Sequence, residues 1–203
     1  MALHCFTGVD SNCAFKGKGK VGPLKKLLKK PKFMDTFRDL GTNWEVTSKT
    51  KLQLEEFVCF MYGHSKTKSL DQARFIMLHK ATGGNNGSLK HVKKVDLAKL
   101  PPCKRSLIPH IKRVNYRVCQ WKNSHISSPA IPPPSLQHGW NPSDTFLEPV
   151  WSEGPVLPLH LTDIIQSTPF SDGLSVESDD DDDDIVSTDE SCSDSSEPDS
   201  DID

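Results

Sequence analysis

The basic and acidic residues of this 203-residue chain are segregated along the sequence. Residues 1–122 contain all 25 Lys and Arg residues and only 8 acidic residues, which gives a net charge of +17. Residues 123–203 contain 19 acidic residues and no Lys or Arg, which gives −19. The formal net charge of −2 for the whole chain conceals this division. A basic module followed by an acidic tail is typical of proteins that bind nucleic acid or its basic partners.

The spacing of apolar residues predicts that the basic half is mainly α-helical. Ser48 is expected to cap a helix that runs to about residue 62, and Ser69 with Gln72 matches a capping box at the start of the next helix. Pro109 is expected either in the first turn of the last helix or at a kink. The helices are predicted over residues 23–30, 32–40, 48–62, 69–82 and 106–121, with stops at Pro31, Gly41 and Gly63.

The composition changes after about residue 126. Frequent prolines exclude a long helix there, so residues 126–166 are expected to form an extended strap or a small hairpin on the helices. Beyond residue 167 the chain is mostly Ser and Asp, with Asp179–Asp184 all aspartate. Such a segment buries too little apolar area to offset its ordering entropy. The expected fold is therefore a small helical basic domain (1–125), a Pro-rich extended strap (126–166) and a disordered acidic tail (167–203).

Several classes of protein are excluded by composition. The longest apolar run, Phe57–Tyr62, is far shorter than the roughly 20 residues of a transmembrane helix, so a membrane span is not expected. The first residues lack a basic leader followed by a sustained apolar stretch, and the six cysteines form no CxxC pair. We expect an intracellular, reduced protein.

A glycine-rich bend before a lysine-rich helix is the most informative local pattern. Gly17 and Gly22 have the spacing of P-loop glycines, but Pro23 follows where a P-loop needs Lys, which excludes that kind of ATP site. Glycines in a bend let backbone amides approach a phosphate, and a helix N-terminus adds favourable partial charge. The pattern predicts contact with a nucleic-acid backbone; the alternative is a solvated loop. The expected binding residues are Gly17, Lys18, Gly19, Lys20, Lys25, Lys26, Lys29 and Lys30.

The same lysines fit a second role. The segment Lys29–Lys32 reads Lys-Lys-Pro-Lys, and Lys25 and Lys26 precede it. This pattern matches a short basic nuclear-import signal. A nuclear location is the corresponding expectation, and the two roles are compatible because both use clustered positive charge.

Part of the chain resembles a known family. The segments that carry the resemblance are Leu3–Ser11 (LHCFTGVDS), Phe15–Lys20 (FKGKGK) and Leu24–Leu28 (LKKLL). They resemble the C-terminal part of PIN-like nucleases of the flap-endonuclease type. The resemblance implies that Asp10 is a late metal-binding carboxylate of a Gly-x-Asp segment, and that Gly17 and Gly19 open a helix-turn-helix element that grips DNA.

A wider set of segments resembles uncharacterised, mobile-element-associated animal proteins that carry such a nuclease-like region. These segments include LEEFV at 54–58, HIKRVNY at 110–116 and HGW at 138–140, and the resemblance covers roughly residues 3–151. Those relatives have Cys where Val9 stands, and the upstream carboxylates of a PIN-like core are missing. A two-metal hydrolase needs several convergent carboxylates. We therefore expect a truncated, non-catalytic remnant without a cofactor, with Mg²⁺ bound only if the missing core were supplied.

Two groups of Cys and His residues are weaker candidates for a zinc site and for a cysteine nucleophile. Cys103, His110, Cys119 and His125 do not have the spacing of a compact zinc finger. Cys5 near His4 or His64 has no visible orienting group for a cysteine nucleophile. Ordinary structural roles are the simpler interpretation of both sets.

The tryptophans and the acidic tail each leave an interpretation open. Trp121, Trp140 and Trp151 are expected to be core or strap anchors rather than base-stacking platforms, because the last two lie in the acidic half. The tail could act as a solubilising segment, as an internal competitor for phosphate, or as a scaffold for basic proteins such as histones. In a third interpretation, a second chain completes a metal-dependent nuclease.

Overall fold

The computed structural model of this protein describes residues 1–81, 96–143 and 145–154, all within one compact unit, Met1–Gly173. The described residues form six α-helices, two short 3-10 turns and one antiparallel hairpin. The helices are α1 (Ala2–Phe6), α2 (Val21–Lys29), α3 (Lys32–Asp39), α4 (Ser48–Met61), α5 (Leu70–Ala81) and α6 (Lys104–Lys122). The 3-10 turns are Leu97–Lys99 and Leu136–His138, and the strands are β1 (Trp140–Pro142) and β2 (Leu147–Pro149).

The prediction of a mainly α-helical chain is confirmed. The predicted helices correspond to α2 to α6, and Pro31, Gly41 and Gly63 lie at the expected stops. The short helix α1 was not predicted. The acidic tail, 167–203, and the last part of the strap lie outside the described residues.

The cap of α4 differs from the prediction by one residue. Thr47, not Ser48, is the N-cap, and its hydroxyl accepts a hydrogen bond from the amide of Thr50 at 3.1 Å. Thr47 has the extended backbone that a cap requires, whereas Ser48 is already the first helical residue. Both residue types cap well, so their order in the sequence did not distinguish them.

Helix α6 forms the centre of the core. Its residues Leu107, Ile111, Val114 and Val118 are almost fully buried. They lie in one hydrophobic cluster with the aromatic side chains of α1, α3 and α4. In that cluster the ring of Phe57 lies 5.0 Å from Phe37 and 5.3 Å from Phe33, both in edge-to-face geometry, which is a favourable arrangement for aromatic pairs.

Pro109 lies inside α6 rather than in its first turn. Proline has no amide N–H, so the carbonyl of Arg105, four residues earlier, loses its helical partner. The amide of Glu153 donates to that carbonyl at 3.0 Å. A sequence feature that normally disrupts a helix thus provides the attachment point for the segment after the hairpin.

The hairpin pairs Trp140 with Pro149 and Pro142 with Leu147. It is held to α6 by Arg113, whose guanidinium donates to the carbonyls of Gly139 and Val150. Residues 127–135, which precede it, contain no helix or strand. Within the described part of the chain, no helix has the length and apolar character needed to cross a membrane.

Candidate nucleic-acid interface

The predicted bend lies on the surface between α1 and α2 and is fixed at its base by Phe15. Phe15 is buried, and its ring lies 5.4 Å from Phe6 and 5.3 Å from His110. The amide of Lys18 donates to the carbonyl of Phe15 at 2.9 Å, and Gly17 has a φ of +71°, which glycine adopts without strain. A Cβ atom at Gly17 would have no neighbour within 4 Å among the described residues. The tip of the bend is therefore open.

The N-terminus of α2 follows this bend without a cap. Lys20 occupies the N-cap position with no side-chain cap hydrogen bond, and the first turn contains no acidic residue. No acceptor among the described residues bonds the amides of Gly19, Lys20, Val21 and Gly22. Unsatisfied amides at a helix N-terminus, together with the helix dipole, favour an anion at this position.

Two aromatic side chains at the end of α4 lie beneath the lysines. The Nζ of Lys18 lies 4.9 Å from the ring centroid of Tyr62, while Lys26 and Lys30 lie 5.4 Å and 4.4 Å from that of Phe60. A cation over an aromatic face is held there by the ring quadrupole. Burial lowers the pKa of Lys18, and repulsion from Lys26 lowers it further. The rings therefore hold several like charges close together.

The lysines of α2 and of its C-cap, Lys30, form two adjacent rows, and the two lysines of each row lie one helical turn apart. Lys25 and Lys29 lie on the exposed side, and Lys26 and Lys30 lie over Phe60. Among the described residues, no carboxylate forms an ion pair with Lys18, Lys20 or any of these four lysines. By contrast, the flanking Lys16 and Lys32 pair with Asp96 and Glu56 at 2.8 Å and 2.7 Å. The positive charge of this surface is thus concentrated on the predicted residues.

Lys20 has a role that the sequence did not predict. Its ammonium group donates to the carbonyls of His4 at 3.0 Å and of Gly8 at 2.5 Å. These bonds satisfy a carbonyl of α1 and tie the turn after α1 to the start of α2. Lys20 therefore positions the bend, although it remains exposed beside it.

Asp10, the predicted metal ligand, lies in a tight turn between α1 and the bend. Val9 and Asn12 close this turn with reciprocal backbone hydrogen bonds of 3.1 Å and 2.8 Å. Asp10 is exposed at the tip. No group of three or more His, Cys, Asp and Glu side chains able to hold a metal ion occurs in the described ranges. Asp10 therefore belongs to no such group within the described ranges.

The weaker cysteine and histidine constellations are not assembled into sites. His110 is buried with Nε2 2.9 Å from the carbonyl of Phe6, while the thiol of Cys119 donates to the carbonyl of Asn43 at 3.2 Å. The two lie nine residues apart on one helix, about 13 Å along its axis. Burial raises the pKa of Cys5 to about 11, which keeps this thiol protonated and unreactive at neutral pH.

No protein-family model, curated protein or solved structure matches the chain. The similarity to PIN-like nucleases therefore stays a prediction.

One pair of aromatic residues was not predicted, and the premise of one prediction does not hold. Phe60 and Tyr62 stand in the sequence only as part of the apolar run Phe57–Tyr62, and no local pattern marks them as the rings beneath the lysines. The prediction that Trp140 and Trp151 do not stack on bases rests on their position in the acidic half of the sequence, away from Lys and Arg. In the structure the Arg113 guanidinium carbon lies 5.9 Å and 5.5 Å from their ring centroids, because α6 packs against the hairpin.

Proposed function

We propose that this protein binds the phosphate backbone of nucleic acid, independently of sequence and without catalysis, through the bend at Gly17–Lys20 and the lysines of α2. The observation that carries the proposal is the uncapped N-terminus of α2 beside an open bend, surrounded by lysines without described acidic partners. Backbone amides and ammonium groups bind phosphate oxygens without distinguishing bases.

The charge arrangement favours a polyanion over a single small anion. Lys25 and Lys29 extend along α2 away from the bend, and Lys26 and Lys30 form a parallel row. A nine-residue helix is about 13 Å long, which spans successive phosphates of one strand. One phosphate at the bend and others along the helix would use both parts of the surface.

The test is a salt titration of binding to duplex DNA. Each phosphate that the protein neutralises should contribute about −0.9 to the slope of log K against log salt concentration. Replacing Lys25, Lys26, Lys29 and Lys30 together by Gln should weaken binding and make the slope shallower. The matched control replaces Lys49, Lys51, Lys66 and Lys68 by Gln, which removes the same charge elsewhere on the chain.

A second variant tests the backbone amides rather than the lysines. Gly19→Ala adds a methyl group in open space, so the thermal stability should not change, while the approach of a phosphate should be hindered. Loss of one charge-assisted hydrogen bond corresponds to a decrease in affinity of about tenfold. A salt-independent affinity, or equal losses in the two four-lysine variants, would contradict the proposal.

A further inference from the structure

A cleft of about 380 Å³ lies directly beside the bend. One wall is formed by residues 13–16, which lead into the bend, and by Tyr62 at the end of α4. The other walls come from α5, the segment 97–102, the face of α6 from Ser106 to Arg113, and Trp151 after the hairpin. The volume falls within the range of small-molecule sites in proteins. A single nucleobase is of suitable size.

The charged side chains that line this cleft are all basic. Among the described lining residues they are Lys16, Arg74 and Arg113, and none of those residues is Asp or Glu. Asp96, the partner of Lys16, lies next to the lining residue Leu97. Asp10 faces a second cavity, which shares Arg113 and Trp151 with the cleft. The cleft therefore suits a flat ligand that can stack and accept hydrogen bonds, and Asp10 disfavours a phosphate in the neighbouring cavity.

Trp151 is the flat partner that such a ligand would use. Its side chain is 62% exposed, an unusual degree for the largest apolar residue. The guanidinium carbon of Arg113 lies 5.5 Å from the ring centroid, and Arg113 is itself held by the carbonyls of Gly139 and Val150. The ring is thus oriented from one side by a fixed cation, while much of its surface remains available for stacking.

The cleft adjoins the proposed phosphate-binding bend. Lys16 lines the cleft and immediately precedes Gly17, while Tyr62 lines the cleft and lies beneath the ammonium of Lys18. A strand with its phosphate at the bend would place its adjoining base at the mouth of the cleft. In a duplex that base is paired and stacked, whereas an unpaired base is free to stack on an aromatic side chain.

We infer that the cleft accepts one unpaired nucleobase stacked on Trp151, so that the protein prefers single-stranded to duplex nucleic acid. This inference rests on the proposed function, because a phosphate bound at the bend would bring the adjoining base to the cleft. Stacking of one base on an aromatic ring corresponds to about tenfold in affinity.

The experiment compares the full chain bound to an oligothymidylate and to a DNA duplex of the same length at one salt concentration. The wild type should bind the single strand more tightly. Trp151→Ala should lower single-strand affinity by about tenfold and leave duplex affinity unchanged. Trp151→Phe, which keeps an aromatic face, should retain most of the single-strand affinity. Phe146→Ala is the matched control, because Phe146 is 58% exposed in the neighbouring hairpin but does not line the cleft.

The outcomes separate the two proposals. Salt-dependent binding with equal affinity for both probes would overturn the inference and leave the phosphate proposal standing. Equal losses on both probes with Trp151→Ala, or a single-strand loss with Phe146→Ala as large as with Trp151→Ala, would also overturn the inference. If neither probe binds, both proposals fail.

Discussion

At the scale of single residues, His110 makes the stability of the core dependent on pH. It is 6% exposed and contacts the rings of Phe6 and Phe15. Burial lowers its pKa to about 4, although the hydrogen bond to the Phe6 carbonyl acts in the opposite direction. Burial also lowers the pKa values of His64 and His138. All three histidines are therefore neutral in the folded protein at neutral pH.

The depressed pKa of His110 predicts a loss of stability in mild acid. Below pH 6.5 the unfolded chain binds a proton at this histidine, whereas the folded chain does so only near pH 4. The contribution is fully present above pH 6.5 and is lost as the pH falls towards 4, by about 3 kcal/mol at most. In urea unfolding at pH 7 and pH 5, His110→Gln should reduce the pH-dependent difference in the free energy of unfolding.

Comparing the two pH values within each variant removes any cost of the substitution that is independent of pH. His125→Gln, at an exposed position, should leave the difference as in the wild type. If His110→Gln shows the full wild-type loss between pH 7 and pH 5, the effect does not arise from this histidine.

At the scale of elements, the attachment of the hairpin to α6 depends on a close approach at Gly139. This residue has a φ of +79°, and a Cβ atom there would lie 2.6 Å from the carbonyl oxygen of Pro109 and 3.0 Å from a side-chain carbon of Arg113. Gly154, beyond the other end of the hairpin, has nearly the same φ, +78°, but its nearest neighbour would be 3.9 Å away. The two glycines therefore share nearly the same φ but differ in packing.

This difference predicts unequal effects of alanine at the two positions. Gly154→Ala should lower the free energy of unfolding by about 1 kcal/mol, the cost of a left-handed backbone. Gly139→Ala should lower it by about 3 kcal/mol, because it also displaces the hairpin from α6. Urea unfolding followed by tryptophan fluorescence would measure both values. Equal effects would show that the close approach to Pro109 has little energetic weight.

At the scale of the whole molecule, the two oppositely charged parts of the chain predict internal competition for phosphate. Residues 172–203 contain 15 acidic and no basic residues, whereas residues 1–122 have a net charge of +17. A tethered polyanion competes with nucleic acid for the same lysines, and the competition weakens with salt because charges are screened over about 8 Å at physiological ionic strength.

Deletion of residues 167–203 tests this competition against the scaffold alternative. If the tail competes, the truncated chain should bind duplex DNA more tightly, and the gain should shrink as salt is raised. If the tail is the functional part, binding to basic proteins such as histones should be lost instead. An unchanged DNA affinity at low salt would contradict the competition.

The sequence by itself determined the helical class, most helix boundaries and the position of the exposed basic bend. These features follow from local chemistry: apolar spacing sets the buried face of each helix, and Pro31, Gly41 and Gly63 end helices through their own backbone preferences. The segregation of charge is likewise a property of composition alone.

Only the tertiary structure decided which distant groups meet. The carbonyl of Arg105 is freed by Pro109, yet its partner is Glu153, nearly fifty residues away. Lys20 binds the carbonyls of α1, and Arg113 approaches Trp151, because the packing of the helices brings them together. Contacts of this kind depend on how the elements pack in three dimensions, and no local spacing in the sequence encodes them.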